Sequence, residues 1–265
     1  MNRRNFLSLA SGVAVGSRLS LPQGKALPAE DHSSNTGAST HILLGEPGFD
    51  ELKMGFKKGE MTLIAGNYFP NRAKQFSLRL IDHAIRIQKK TVLVVGSWFP
   101  HEYRRDILEA HGPNKELNSQ FIYQYSCWEA PSFVRKEIEK TLKSRSIDFV
   151  VIDNIDTIGG VLDERKQPRT KLASLFALNA IAKELAIPLV VNCSFEKFAH
   201  ARKDKRPVLT DLYRDSDLVC DSVVLLKTER DYNRESNSTI LEANIAKNMN
   251  GATGIVSIDW LMQKN

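Results

Sequence analysis

Cysteine is scarce in this chain of 265 residues, where only Cys127, Cys193 and Cys220 occur. They are scattered, odd in number and without metal-ligand spacing, so neither a disulfide framework nor a zinc centre is expected. Cys193 and Cys220 fall in or beside expected strands, where a small buried thiol is the ordinary role. Long apolar runs are missing too. The mild stretch from Leu9 to Val15 is far below the ~18 residues a membrane-spanning helix needs, so no transmembrane segment is expected in the mature chain. There is no internal repeat. Charge of one sign is only slightly in excess, 37 basic against 31 acidic residues for a net +6, which permits nucleic-acid or anionic-surface binding without demanding it.

Stability must therefore come from a hydrophobic core. Setting the N-terminal segment aside, about 225 residues remain, enough for one domain that buries roughly 70% of its unfolded surface. Short β-branched runs at Met61–Ala65, Thr91–Val95, Phe121–Gln124, Phe149–Asp153, Leu189–Cys193 and Ser222–Lys227 read as buried strands. Leu241–Ile245 and Ile255–Asp259 read as a terminal antiparallel pair. Three apolar stripes read as helices between them. The first is Phe76, Leu80, Ile81, Ile85 and Ile87; the second is Phe133, Ile138 and Leu142, with Glu139 and Lys143 spaced for an i,i+4 pair. The third is Leu172, Leu175, Phe176, Asn179, Ile181 and Leu185, ended by Pro188. All three stripes are expected in the core. Alternation of this kind predicts an α/β fold, a mostly parallel sheet covered by helices on both faces.

Between the first strand and the first long helix stands a phosphate-binding loop that is broken. Such a loop, G-x-x-x-x-G-K-S/T, lets backbone N–H groups wrap a phosphate, a lysine neutralise it and a hydroxyl hold Mg²⁺. Counting from Gly66, the last three places hold Asn71, Arg72 and Ala73. Sliding by one residue recovers Lys74 but neither the glycine nor the hydroxyl. Asn71 and Ala73 are expected to adopt the required glycine conformations only reluctantly.

Five segments then carry a family resemblance. Leu44-Gly45-Glu46-Pro47-Gly48-Phe49-Asp50 with Met54-Gly55-Phe56-Lys57-Lys58-Gly59-Glu60 resembles the "TGFxxLD…GGLxxGEL" opening of the DnaB-type replicative helicase C-terminal domain, a RecA-like motor. Val150-Val151-Ile152-Asp153 looks like its Walker B strand, and Ala182 to Val191 is similar to "AKELxVPVIAL". Asp204 to Leu212 resembles "DKRPxLSDLR", and Ile245 to Gly254 resembles "IAKxRNGPTG". The matches keep the family's order over roughly residues 40 to 260. They imply a RecA-like P-loop NTPase core over residues 41–265, without the N-terminal domain and linker helix of a full DnaB-type protein.

What the resemblance implies for chemistry is mostly loss. Trp98 stands where the general base should be, and an indole cannot accept a proton at neutral pH. Asp153 survives at the position that would hold Mg²⁺ through water; its structural alternative is an Asp ending a buried strand, with Asn154 and Asp156 capping the next turn. Ser194 replaces the polar sensor glutamine, and Lys197 the arginine of that segment. Lys247 with Met249 replaces the "KxR" pair that reaches a neighbour's γ-phosphate, and a lysine lacks the planar fork of an arginine. The nucleotide-binding remnant is thus Gly66, Asn71, Arg72, Ala73, Lys74, Asp153, Ser194 and Lys247. The family places a DNA-facing loop where Lys197, Arg202, Lys203, Lys205 and Arg206 cluster beside Phe195 and Phe198, a composition that suits single-stranded DNA; the other reading is a solvated surface loop.

Two functional readings follow. In the first, the chain is a catalytically degenerate pseudo-ATPase of helicase descent that needs no cofactor and binds nucleic acid or a protein partner. In the second, it is an active ATP-dependent DNA helicase or ATPase using ATP and Mg²⁺ through an unconventional loop. The resemblance allows an oligomer in either case.

The first residues add a compartment question. Asn2-Arg3-Arg4-Asn5-Phe6-Leu7-Ser8 resembles a twin-arginine export motif, followed by the mild apolar run, Arg18, Lys25 and a weak cleavage site at Ala26-Leu27-Pro28-Ala29. Residues 1–29 read as the signal segment and 30–40 as a polar linker. A working signal implies a periplasmic protein that meets no ATP; two chance arginines in a flexible arm imply a cytoplasmic one.

Overall fold

The structure, a computed structural model, describes residues 41–67, 71–96, 105, 120–125, 129–158, 167–196 and 202–259. These all belong to one compact unit, Ser39–Asn265. A small antiparallel pair comes first, β1 (His41–Leu43) against β2 (Gly55–Lys57), with the short helix α1 (Pro47–Glu51) between them. The main sheet is built from β3 (Met61–Gly66), β4 (Val92–Gly96), β5 (Phe121–Tyr125), β6 (Phe149–Asp153), β7 (Leu189–Ser194), β8 (Ser222–Thr228), β9 (Ile240–Asn248) and β10 (Gly254–Asp259). Its spatial order is β10-β9-β8-β3-β7-β6-β4-β5. From β8 to β5 every neighbouring pair is parallel, and β8–β9 and β9–β10 are antiparallel.

The strand period decides which side chains meet which helices. Ile64, Val94, Val151, Val190 and Val224 point to one face, where they pack with Phe49, Met54, Phe56 and the inner side of α2 (Arg72–Arg86). Their chain neighbours Leu63, Leu93, Val150, Val191 and Val223 point to the other, against α3 (Pro131–Leu142) and α4 (Gln167–Leu185). The sheet is covered on both sides, so its central strands are buried and largely apolar on both faces rather than alternating. A further short helix, α5 (Ser216–Val219), is a single turn before β8.

The helical stripes extend less far into the core than their periodicity predicts. Ile87, Leu142 and Phe176 are exposed, Phe176 to 59%. Ile87 follows the last residue of α2 and Leu142 ends α3, where the chain turns away from the sheet. Phe176 faces outward on α4 while Leu175 and Leu178 carry its burial. Phe176→Ser should accordingly change stability by no more than about 0.5 kcal/mol in chemical denaturation, against about 2–4 kcal/mol for Leu178→Ala. The expected Glu139–Lys143 pair does not form. Glu139 accepts instead from Arg135 one turn earlier, at 2.8 Å, and Arg135 also reaches Glu184 on α4.

Candidate functional site

The carboxyl ends of β3, β6 and β7 lie side by side, where ligands of open α/β sheets bind. Gly66 ends β3, and α2 returns so closely that a Cβ there would stand 2.8 Å from Arg72 Cβ and 3.1 Å from the Ala73 nitrogen. Only glycine admits that approach. Asn71, the N-cap of α2, takes the left-handed conformation, φ 48° and ψ 63°. The expected reluctance is therefore overcome at this position: asparagine is the residue that follows glycine most readily into that region.

The described residues at the two ends of the loop bond to the protein's own polar groups. The Asn71 side chain accepts from the Lys74 N–H at 3.1 Å, and the Arg72 N–H donates to the Asn67 carbonyl at 3.3 Å. Two N–H groups that a phosphate would use are thereby committed. Arg72 Nε donates to Asp231 Oδ1 at 2.9 Å, with the Arg72 side chain 11% exposed and that of Asp231 fully buried, and Nη1 donates to Gln75 at 3.0 Å. Ala73 is buried and offers no hydroxyl. Lys74 is buried in the first turn of α2.

Asp153 is fully buried at the end of β6. Its Oδ1 accepts from Asn192 Nδ2 at 3.1 Å, and Asn192 Oδ1 accepts from Ser77 Oγ on α2 at 2.7 Å. This chain of Ser77, Asn192 and Asp153 ties α2 to β7 and β6 across the sheet. Sequence reasoning did not single out Ser77 or Asn192, because their partners lie 115 and 39 positions away; a polar Asn in the middle of an apolar strand was the available signal. Asn154 caps the following turn through the Asp156 N–H at 2.8 Å, as its structural role predicts. Asp156 in turn accepts from the Ser194 N–H at 3.2 Å and from Lys171 at 2.8 Å, and Lys171 also pairs with Glu196. Those two carboxylates keep the Lys171 ammonium charged, raising its pKa although burial works against it. Burial pushes the Cys193 thiol well up and the Cys220 thiol to about 12, so both stay protonated and inert.

Lys247 lies on β9 and its ammonium donates to the carbonyls of Asp217 and Cys220 at 2.8 and 2.6 Å. It closes the C-terminal end of α5 within the same chain, the usual place for a cation on a helix end.

Trp98 and Lys197 lie outside the described residues, as do the N-terminal signal and linker. Of the other basic-loop residues, Arg202 forms a two-pronged ion pair with the buried Asp211, and its Nε donates to the Arg206 carbonyl at 3.0 Å. Arg206 grips both oxygens of Glu242 at 3.0 and 3.3 Å, holding that carboxyl below its ordinary range. Lys203 is exposed, and Lys205 is half-buried with φ 49°. Among the described residues, no group of three or more His, Cys, Asp or Glu side chains could hold a metal ion, and no helix is long and apolar enough to cross a membrane.

A family model for the C-terminal domain of DnaB-like helicases matches residues 73–265. The chain belongs to the DnaB-like helicase C-terminal domain family. Its relatives include the replicative helicase DnaB of Mycoplasma genitalium, 22% identical over 249 residues that cover 80% of this chain and 52% of that protein. The DnaB of Haemophilus influenzae is 25% identical over 87% of this chain and 55% of its own length. The chain thus spans about half the length of these relatives. Among solved structures, an ATPase domain superposes with a TM-score of 0.72 at 19% identity, covering 86% of this chain and 91% of that one. A KaiC-like protein from Pyrococcus horikoshii gives 0.61 at 18% identity, covering 82% and 92%. The fold is that of the RecA-like ATPases. A DnaB-like replicative helicase described with its primase interactions gives 0.68 at 20% identity, covering 82% of this chain and 60% of that one.

Proposed function

We propose that this DnaB-like domain is a pseudo-ATPase, a helicase motor fold that has lost ATP turnover and acts by binding a partner. The observation that carries the reading is Arg72, the residue at the phosphate-loop lysine position, whose guanidinium is committed to the buried Asp231. The other positions point the same way: Ala73 lacks the metal-holding hydroxyl, and Lys247 is anchored to carbonyls of its own chain. The residues present do not fit a nucleotide with Mg²⁺. Isothermal titration of the full chain with ATP and Mg²⁺ is expected to give a Kd weaker than about 1 mM, some −4 kcal/mol or less of binding. Turnover above about 1 s⁻¹, the lower end of ordinary enzymes, that disappears in Asp153→Asn would overturn it in favour of an active motor.

The partner we favour is single-stranded nucleic acid or a protein, approached from the carboxyl edge of the sheet where the 202–211 loop sits. Export belongs to the same proposal. Arg3 and Arg4 stand ahead of Phe6-Leu7 in twin-arginine order, and an exported domain would meet no ATP. Fusing residues 1–40 to a folded reporter should carry it to the periplasm, and Arg3→Lys with Arg4→Lys should strand it in the cytoplasm. A wild-type fusion that stays cytoplasmic refutes the export part alone.

A further inference from the structure

Strand β8 runs parallel beside β3, so the chain leaving β8 comes to Asn67, just after β3, and to Arg72, at the start of α2. That chain forms a tight strap, Thr228 to Tyr232, whose own geometry is fixed: Asp231 Oδ2 accepts from the Thr228 N–H at 2.9 Å and the Tyr232 N–H donates to the Glu229 carbonyl at 3.1 Å. Two side chains reach down from it. Asp231 Oδ1 takes Arg72 Nε at 2.9 Å, and the Tyr232 hydroxyl bonds the Asn67 side chain. Asn67 and Arg72 are the two residues that the backbone bond at 3.3 Å joins across the turn. The strap therefore holds both Asn67 and Arg72. Burial together with the Asp231 charge pushes the Tyr232 hydroxyl up to about 12, so the phenol stays neutral and the fully buried Asp231 is the side chain that brings negative charge to the loop.

A guanidinium recognises carboxylate and phosphate oxygens by the same planar fork. We propose that Asp231 is an internal ligand of this loop, an autoinhibitory carboxylate that stands in for a phosphate and shuts polyphosphate anions out of the cleft. The inference rests on the pseudo-ATPase reading and adds to it the cause of exclusion: Arg72 is held by an ion pair, and removing that pair frees its guanidinium for an anion. Arg72 is then the residue that would recognise the incoming anion.

The probe is inorganic tripolyphosphate, titrated into the full chain. Asp231→Asn keeps a hydrogen-bond acceptor for the Thr228 N–H while removing the charge, and should bind tripolyphosphate at least about tenfold more tightly than the wild type. Adding Arg72→Gln to Asp231→Asn should abolish that gain. Tyr232→Phe loosens the strap without uncovering a buried charge and should give a smaller gain of about threefold. A folded Asp231→Asn with no gain overturns the proposal, as does a gain that survives Arg72→Gln. Should Asp231→Asn not fold, Tyr232→Phe decides, and no gain there overturns it as well. Hydrolysis of ATP by the wild type would instead count against the pseudo-ATPase reading, in a separate assay.

Discussion

Asn192→Ala should lower the melting temperature by about 6–12 °C, the equivalent of about 3 kcal/mol in a domain of this size. Asn192 is fully buried and holds Asp153 with one end of its amide and Ser77 with the other. Truncation removes the amide donor from a carboxylate that has no exposure to water and the acceptor from a buried hydroxyl, and both losses carry desolvation penalties. Ser77→Ala removes one bond and should cost about 1–2 kcal/mol, so the two variants rank rather than merely fall. A calorimetric melt of Asn192→Ala within about 2 °C of the wild type, a shift worth under about 1 kcal/mol, would show that the chain from α2 to β6 carries no stability. The outcome bears on function because a metal-holding aspartate in a working motor is selected for chemistry. In a pseudo-ATPase the same residue remains only because the core depends on it.

The second large effect separates two kinds of cation in the basic loop. Arg202→Ala strips Asp211, whose side chain is 3% exposed, of a two-pronged partner. The arginine itself is 36% exposed, so water moves in to replace it and the loss is about 1–2 kcal/mol rather than the larger cost of a sealed pair. Lys203→Ala, on an exposed side chain, should stay within about 0.5 kcal/mol. Nucleic-acid binding should show the reverse order. Charge reversal at Lys203 and Lys205 should flatten the log–log salt dependence of single-strand binding by about 0.7 for each phosphate no longer neutralised, while Arg206 stays engaged with Glu242. Absence of single-strand affinity at about 50 mM salt would direct the search to a protein partner.

The architecture could be read from the chain because doubly covered strands advertise themselves: Val92–Val95, Phe149–Asp153 and Leu189–Cys193 are short and β-branched, apolar but for Asp153 at the end of one and Asn192 within another, and a helical period separates them. The pair β1–β2 could not. Its strands have three residues each, too short for any period to register. The stripes overran at Ile87, Leu142 and Phe176 because spacing gives the face of a helix but not where the partner surface ends. The site was legible as a set of missing parts and illegible as a set of replacements. Nothing in the sequence brings Asp231 to Arg72, 159 positions away, or turns Arg202 toward Asp211 rather than toward solvent. A run of like charges shows its composition, and its ion pairs depend on the fold.

Asn71 gives the loop a memory of shape. With φ at 48° it already traces the left-handed step that glycine would take. On the pseudo-ATPase reading proposed above, the loss of turnover lies in side chains. A variant carrying Asn71→Gly, Arg72→Lys, Ala73→Thr and Trp98→Glu would keep that step at position 71, and should gain anion binding well before turnover, which would still wait on the arginine of the "KxR" pair that Lys247 with Met249 does not supply.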